Sequence, residues 1–412
     1  MTSTAIVLAG GLGTRLRHLL PDIPKVLAPV AGKPFLYHVV NHLRSQGVSE
    51  FIFSLGHMKE LVVQFLYDEL PTLDFKLSVE DEPLGTGGAV LLAAQQVSQE
   101  NVIVVNGDTL FRFRLPEMEA LHRQTTAACT VALKPMQHFS RYGAVELNDD
   151  QSIKQFREKQ FLEAGLVNGG IYLLRFPKFL QTAWPEKFSF ETDFLEKTAE
   201  SLFGSVQDEY FIDIGVPEDY QRAQEELRRP PLDLGYVNRD WSVFLDRDGV
   251  INVEKIDGYI LDVHEFTFCP GALESFPKLA ECFRNIVVVT NQRGVGRGLM
   301  SAEDLEKIHG HMAEEVNAVG GRLDKVYVCT STDNRHPERK PNPGMAFRAA
   351  REIPGMDLNK SIMVGNKLSD MRFGRSAGMY TVFIRSVHPE QPLPHPDIDM
   401  AFDSLADFAK AL

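Results

Sequence analysis

The sequence predicts an α/β protein made of two doubly wound domains in tandem. Three observations predict it. Short apolar runs alternate with amphipathic stretches through the first part of the chain, as strands do when helices cover both faces of a mostly parallel sheet. The first run, residues 5–8, opens into a glycine-rich loop, Leu8-Ala-Gly-Gly-Leu-Gly-Thr-Arg-Leu-Arg17. Another, residues 242–245, delivers Asp246-Arg-Asp248 after Pro230-Pro231 has broken the preceding helix. Ligands of such sheets gather beyond the carboxyl ends of strands, so each run points to a site of its own.

The bulk numbers set bounds. A chain of 412 residues favours two or three domains, and 44% hydrophobic residues leave ample core. A net charge of −13 argues against a nonspecific nucleic-acid binder. Local Arg and Lys clusters in an acidic chain suit small anionic ligands instead. Cys129, Cys269, Cys282 and Cys329 form no CxxC pair and read as reduced thiols of a cytoplasmic protein. The glycine loop comes almost at once, so no signal peptide is expected. No apolar run approaches the roughly 20 residues that span a bilayer. Neither a membrane nor a nucleic-acid partner is expected, and homo-oligomerisation stays open.

The first domain is expected over residues 1–229. Strands are predicted at residues 5–8, 51–55, 76–79 and 102–105, and helices at 34–45, 59–66 and 87–94. Gly10, Gly11 and Gly13 let the backbone turn and, with Leu8, Ala9 and Thr14, can aim N–H groups at phosphate oxygens. Arg15 adds a guanidinium fork and Lys25, after Pro24, a second cation. Asp108 follows the run 102–105, where a carboxylate suits Mg²⁺ bridging nucleotide phosphates or serves merely as a turn residue. In Gly85-Thr-Gly-Gly88, Thr86 either reads a base edge or caps a helix. From residue 130 the pattern changes, with strands predicted at 131–133, 143–147 and 170–174.

These residues resemble the signature of sugar-1-phosphate nucleotidyltransferases over roughly the first 225 residues. The landmarks are the glycine loop, Pro24-Lys25, Gly85-Thr-Gly-Gly88, Asn106-Gly-Asp108, Glu158-Lys159, Asn168-Gly-Gly170 and Asp213. The resemblance implies a Rossmann-like fold with Asp108 and Asp213 as Mg²⁺ ligands. It implies that Arg15 and Lys25 stabilise the leaving group. Gly143, Glu158, Lys159 and Asn168 would hold the sugar phosphate.

Residues 230–240 are predicted to be a short linker, and residues 241–412 the second domain. Asp246 and Asp248 lie two apart, so both leave the same face of an extended segment. One can attack phosphorus while the other moves a proton, and their like charges call for Mg²⁺. Thr290, after the run 286–289, offers a hydroxyl, and Lys340 a cation. The run 361–364 leads into Gly365-Asn-Lys-Leu-Ser-Asp370. This ordered set is similar to the haloacid dehalogenase superfamily of phosphatases, with little cap domain. The resemblance implies metal binding by Asp246, Asp248, Asn366 and Asp370; family members usually carry Asp where this chain has Asn366. The context Asp246-Arg-Asp-Gly-Val-Ile-Asn252 with Asn291-Gln-Arg-Gly-Val-Gly-Arg-Gly298 narrows the likeness to heptose bisphosphate and histidinol phosphatases. Asn291, Arg293 and Arg297 are then candidates for contacting the sugar and a second phosphate. Relatives often carry a zinc loop before Arg-Lys-Pro; here only Cys329 and His336 remain, too few for a tetrahedral site, so no zinc is expected.

Within the transferases, residues 80–88, 133–135, 141–143 and 211–219 look most like heptose 1-phosphate guanylyltransferases. The combination implies removal of the C7 phosphate of a heptose 1,7-bisphosphate, then transfer of GMP from GTP to the heptose 1-phosphate. The alternatives are a mannose- or glucose-1-phosphate transferase fused to another phosphatase, or to an inactive phosphatase-like module.

Overall fold

The computed structural model describes residues 2–11, 16, 19–125, 127–198, 201–256 and 258–412. They fall into two units, Met1–Arg229 and Pro230–Leu412.

In the first unit the strand Thr4–Leu8 lies between Glu50–Leu55 and Asn101–Asn106, parallel to both. Alternate residues serve opposite faces of the sheet. Ala5, Val7, Phe51, Phe53 and Val105 enter one core, whereas Ile6, Ile52, Val102 and Val104 enter the other. A run apolar at every position is therefore what a strand covered on both faces requires. Asp74–Val79 extends the parallel part. On the other side direction reverses: Leu162–Arg175 runs antiparallel to Asn101–Asn106, and Cys129–Phe139 antiparallel to it. Nine strands make this sheet. The two long antiparallel strands outrun the expected 131–133 and 170–174 because their distal halves are only partly buried. They therefore leave no apolar run in the sequence. Helices Phe35–Ser45, Lys59–Glu69 and Gly85–Ala94 stand where helices were predicted.

One small element organises the site. Thr109–Phe111 and Phe211–Asp213 form a separate antiparallel ribbon of three residues each. Pairing so short leaves no periodic signal in a sequence.

The second unit is a six-stranded sheet, in the order Lys325–Cys329, Asn285–Asn291, Ser242–Leu245, Ser361–Gly365, Tyr380–Ile384 and Met400–Phe402. All its pairings are parallel. The strand order reverses at Ser242–Leu245, the switch point where a doubly wound sheet leaves a crevice. Between Asn252 and Gly271 the described residues hold only the 3-10 turn Val263–Glu265 as a helical element, too little for a cap domain. Residues 230–240, expected to be a linker, are packed on this unit. Leu232 is 6% exposed in its core, Leu234 and Val237 pack beside it, and Tyr380 Oη donates to Pro230 O at 3.3 Å. Apolar side chains in a proline-led stretch had somewhere to go. No described helix is long and apolar enough to cross a membrane.

Candidate active sites

The first site is assembled at strand ends. Gly107 N donates to Leu8 O at 2.9 Å, which ties the turn after Asn101–Asn106 to the start of the glycine loop. Gly10 passes so near the next strand end that a Cβ would come within 3.0 Å of Gly56 N. A Cβ on Gly11 would meet no described atom within 4 Å. Ala9 N is occupied, donating to Ser54 O at 2.9 Å. Gly13, Thr14 and Arg15 lie outside the described residues.

The short ribbon sets Asp213 opposite Thr109, and Ile214 N donates to Asp108 O at 3.2 Å. Both carboxylates therefore reach one place, where Lys25 Nζ lies 2.5 Å from Asp108 Oδ2 and 3.4 Å from Asp213 Oδ1. Burial and the charge of Asp108 push the Asp213 carboxyl up, with Lys25 pulling the other way. Two hard oxygen donors short of positive charge suit a divalent cation such as Mg²⁺. Lys25 was expected beside the leaving group; in this structure it bridges the two carboxylates.

Gly85-Thr-Gly-Gly88 serves packing. Thr86 Oγ1 donates to Glu191 Oε2 at 2.7 Å and accepts from Phe190 N at 2.9 Å. The hydroxyl is spent on the segment that carries Phe188, neither capping the helix nor standing free for a base. A Cβ on Gly87 would come 2.3 Å from the Phe188 ring.

On the expected sugar side, Tyr142 stacks edge-on against Phe211 of the ribbon, with ring centroids 5.7 Å apart. Arg141 pairs with buried Asp219. Gly143 leaves room for Arg157 O, which a Cβ would meet at 2.7 Å. Glu158 and Lys159 are exposed and form no ion pair with a described residue. Asn168 is engaged, donating to Tyr172 Oη at 3.0 Å and accepting from Gly170 N at 2.9 Å. It stands where the register of Leu162–Arg175 shifts.

The second site lies at the switch point. Asp246 follows Ser242–Leu245, and its N–H donates to Val364 O at 2.9 Å. Lys340 Nζ is 2.7 Å from Asp246 Oδ1 and 2.7 Å from Asp370 Oδ1, all three side chains being buried. Burial and the Asp370 charge push Asp246 up to about 7 against the pull of Lys340. Burial alone would discharge Lys340, but Asp246 and then Asp370 outweigh it and hold the ammonium above its usual value. Asn366, at the end of Ser361–Gly365, is fully buried, and its Oδ1 has no hydrogen-bond donor. A buried orphan oxygen beside crowded carboxylates fits an oxygen-ligated cation.

Sequence reasoning missed what surrounds Asp248. Arg247, fully buried, donates to both Asp248 oxygens, at 2.9 and 3.1 Å. Asn252 Nδ2 donates to Oδ1 at 3.0 Å and Gln292 Nε2 to Oδ2 at 2.9 Å. Burial would raise this carboxyl, yet Arg247 and the amides together hold it below the usual range. Gln292 also donates to Thr290 Oγ1 at 2.8 Å. The available signal was polar residues directly after apolar runs, Asn252 and Gln292 among them. Asn291 donates to Lys340 O and accepts from Lys340 N, each at 3.1 Å. It clamps the Lys340 backbone.

Arg293 and Arg339 both donate to Asn334 Oδ1. Arg297 lies over the Tyr259 ring at 5.9 Å. No described carboxylate pairs with any of these three arginines. Burial, then the charges of Arg293 and Arg297, lower Arg339. Cys329 Sγ and His336 Nδ1 are 3.7 Å apart. The loop between them is laced by Asn342 Nδ2, which donates to Asn334 O and His336 O.

Both units have known relatives. Residues 4–229 match the nucleotidyl transferase family model, and residues 338–408 a HAD-hydrolase-like model. The chain is 43% identical over 226 residues to the D-glycero-alpha-D-manno-heptose 1-phosphate guanylyltransferase of Aneurinibacillus thermoaerophilus, spanning 54% of this chain and 98% of that one. It is 38% identical over 177 residues to the D-glycero-alpha-D-manno-heptose-1,7-bisphosphate 7-phosphatase of Mycobacterium bovis, spanning 43% of this chain and 93% of that one. The crystal structure of HddC from Yersinia pseudotuberculosis complexed with GMP-PN aligns with a TM-score of 0.51 and 34% identity, over 55% of this chain and 100% of that one. The chain thus belongs to the nucleotidyl transferase family through its first unit, and its second unit is a HAD-hydrolase-like phosphatase domain.

Proposed function

We propose that the chain performs two consecutive steps toward GDP-heptose. The second unit removes the C7 phosphate of D-glycero-D-manno-heptose 1,7-bisphosphate. The first unit then joins GMP from GTP to the heptose 1-phosphate and releases pyrophosphate. One observation carries the reading. Two separate acidic strand-end sites, Asp108–Lys25–Asp213 and Asp246–Lys340–Asp370, lie on one chain, within units similar to enzymes of the same heptose phosphates.

In the phosphatase step Asp246 attacks phosphorus and becomes an aspartyl phosphate. Lys340 opposes the protonation that burial and Asp370 favour at the nucleophile, and balances the entering phosphate. Asp248, which must first take up a proton as substrate enters, passes it to the departing sugar oxygen and later takes one back from the attacking water. Thr290 offers its hydroxyl to the phosphate. The arginines Arg293, Arg297 and Arg339 supply unpaired positive charge for the second phosphate. Asp246, Asn366, Asp370 and the Asp248 carbonyl would hold Mg²⁺, which supplies charge neutralisation at the transferring phosphoryl group. No zinc enters this reading.

In the transfer step an oxygen of the sugar phosphate attacks the α-phosphorus of GTP in line. Gly10, Gly11 and the neighbouring loop cradle the phosphates, and Arg15 bears on the leaving pyrophosphate. Asp108 and Asp213 would hold Mg²⁺, which would supply charge neutralisation at the transferring phosphoryl group, and Lys25 adds a cation beside them. Lys159 and Glu158, exposed and without an ion-pair partner among the described residues, receive the sugar phosphate and its hydroxyls. The GMP-PN complex of the Yersinia relative supports a guanine nucleotide here.

The test is product analysis with the intact chain, offering four nucleoside triphosphates and several sugar phosphates. GDP-heptose, phosphate and pyrophosphate are the expected products from the bisphosphate and GTP. Preference for mannose 1-phosphate would overturn the substrate; absence of phosphate release would make the second unit an inactive module.

A further inference from the structure

Asn366 departs from the carboxylate usual at its position, and the structure shows how it is held. Its Nδ2 donates to Glu254 Oε2 at 3.0 Å. A carboxylate only accepts, so this bond fixes which way the amide faces: nitrogen toward Glu254, oxygen away from it. That oxygen is buried and receives no hydrogen bond. Glu254 is itself pinned, its other oxygen lying 2.5 Å from Lys367 Nζ. The cradle is tight, since a Cβ on Gly249, which sits at φ +86°, would run into Asn366 Nδ2. Glu254 thus links the loop after Ser242–Leu245 to the loop after Ser361–Gly365.

From this arrangement we propose that Glu254 is a positioning residue, aiming the Asn366 carbonyl oxygen at the cation as a neutral ligand. This rests on the reading that Asp246, Asn366 and Asp370 bind Mg²⁺. The carboxylate missing from the first shell stands one hydrogen bond further out, where it polarises the amide and makes its oxygen a stronger donor. The two side chains form a matched pair. Aspartate at 366 would set two carboxylates about 3 Å apart, where like charges repel. Glutamine at 254 beside that aspartate would restore a donor–acceptor pair with the roles exchanged.

The experiment measures Mn²⁺ binding by electron paramagnetic resonance. Every intact chain carries Asp108→Ala and Asp213→Ala, which take both carboxylates out of the first unit's site, and melting without metal checks folding. Glu254→Gln and Asn366→Asp are each expected to weaken binding about tenfold or more. The double variant Glu254→Gln/Asn366→Asp should recover most of it. The Mg²⁺ concentration for half-maximal phosphate release should shift in the same order. Wild-type affinity in Glu254→Gln, or tighter binding in Asn366→Asp alone, overturns the pairing. Absence of Mn²⁺ binding in the unsubstituted second unit overturns the metal reading instead, which separates the two failures.

Discussion

Lys25 bridges Asp108 and Asp213, and that single contact has energetic content. Removing a cation from between two partly buried carboxylates leaves their repulsion uncompensated. Lys25→Met should therefore melt below wild type without metal and gain more than wild type when Mg²⁺ is added. Melting curves with and without Mg²⁺ check this, and equal gains would detach Lys25 from the metal site. Transfer should fall about a hundredfold or more in the same variant, the cost of losing one preorganised charge at phosphoryl transfer. Asp108→Ala should abolish transfer while phosphate release continues, because Asp246 and its partners lie in the other unit. Parallel assays of pyrophosphate and phosphate release separate the two.

Elements carry two further expectations. The helix Gly85–Ala94 leaves no room at Gly87, where Phe188 is stacked on Trp184 with centroids 4.9 Å apart. Gly87→Ala should cost about 1–3 kcal/mol through forced repacking, read as a lower urea midpoint. The helix Leu115–Thr125 docks through His122, 1% exposed, with Nδ1 2.9 Å from Thr130 Oγ1 and Nε2 3.2 Å from Asn101 Oδ1. Burial, with Arg175 and Lys178 nearby, lowers this imidazole from 6.5 to about 4. The unfolded chain then binds the proton more readily than the folded one. The histidine's contribution is whole above about pH 6.5 and is lost as pH falls toward 4, by up to about 3 kcal/mol. Melting of His122→Gln against wild type across that window checks the sign: the difference should narrow in acid.

Such elements also show what a sequence can carry. Runs apolar at every position, as at Ala5 to Val7 and Val102 to Val105, announce doubly covered strands, and Asp108 and Asp246 could be placed because they follow such runs. Asp213 was placed by its motif, but the three-residue ribbon that brings it to Asp108 has no periodicity to read. Thr86, Asn168 and Asn291 each have partners the sequence does not show, because a polar residue in a glycine-rich or strand-end motif looks free until its partners are known. Those partners, Glu191, Tyr172 and the Lys340 backbone, are remote or conformational. Arg247 went unnoticed because a cation beside two aspartates reads as local charge balance, whereas it is fully buried and fixes Asp248.

At the scale of the molecule, two activities on one chain impose an order. A transferase pocket shaped for a free hydroxyl would have to desolvate or pair an added phosphate dianion. Asp246→Asn should therefore stall the chain at the bisphosphate, and added heptose 1-phosphate should bypass the block. Mass analysis of the sugar nucleotides checks it: GDP-heptose still bearing the C7 phosphate would reverse the order.

The ribbon joining Thr109–Phe111 to Phe211–Asp213 has a consequence for biogenesis. Lys25 and Asp213 are 188 residues apart in sequence. A nascent chain arrested before Phe211 already contains every strand of the nine-stranded sheet, yet lacks the second carboxylate. During translation the first unit can gain its architecture before it gains its chemistry.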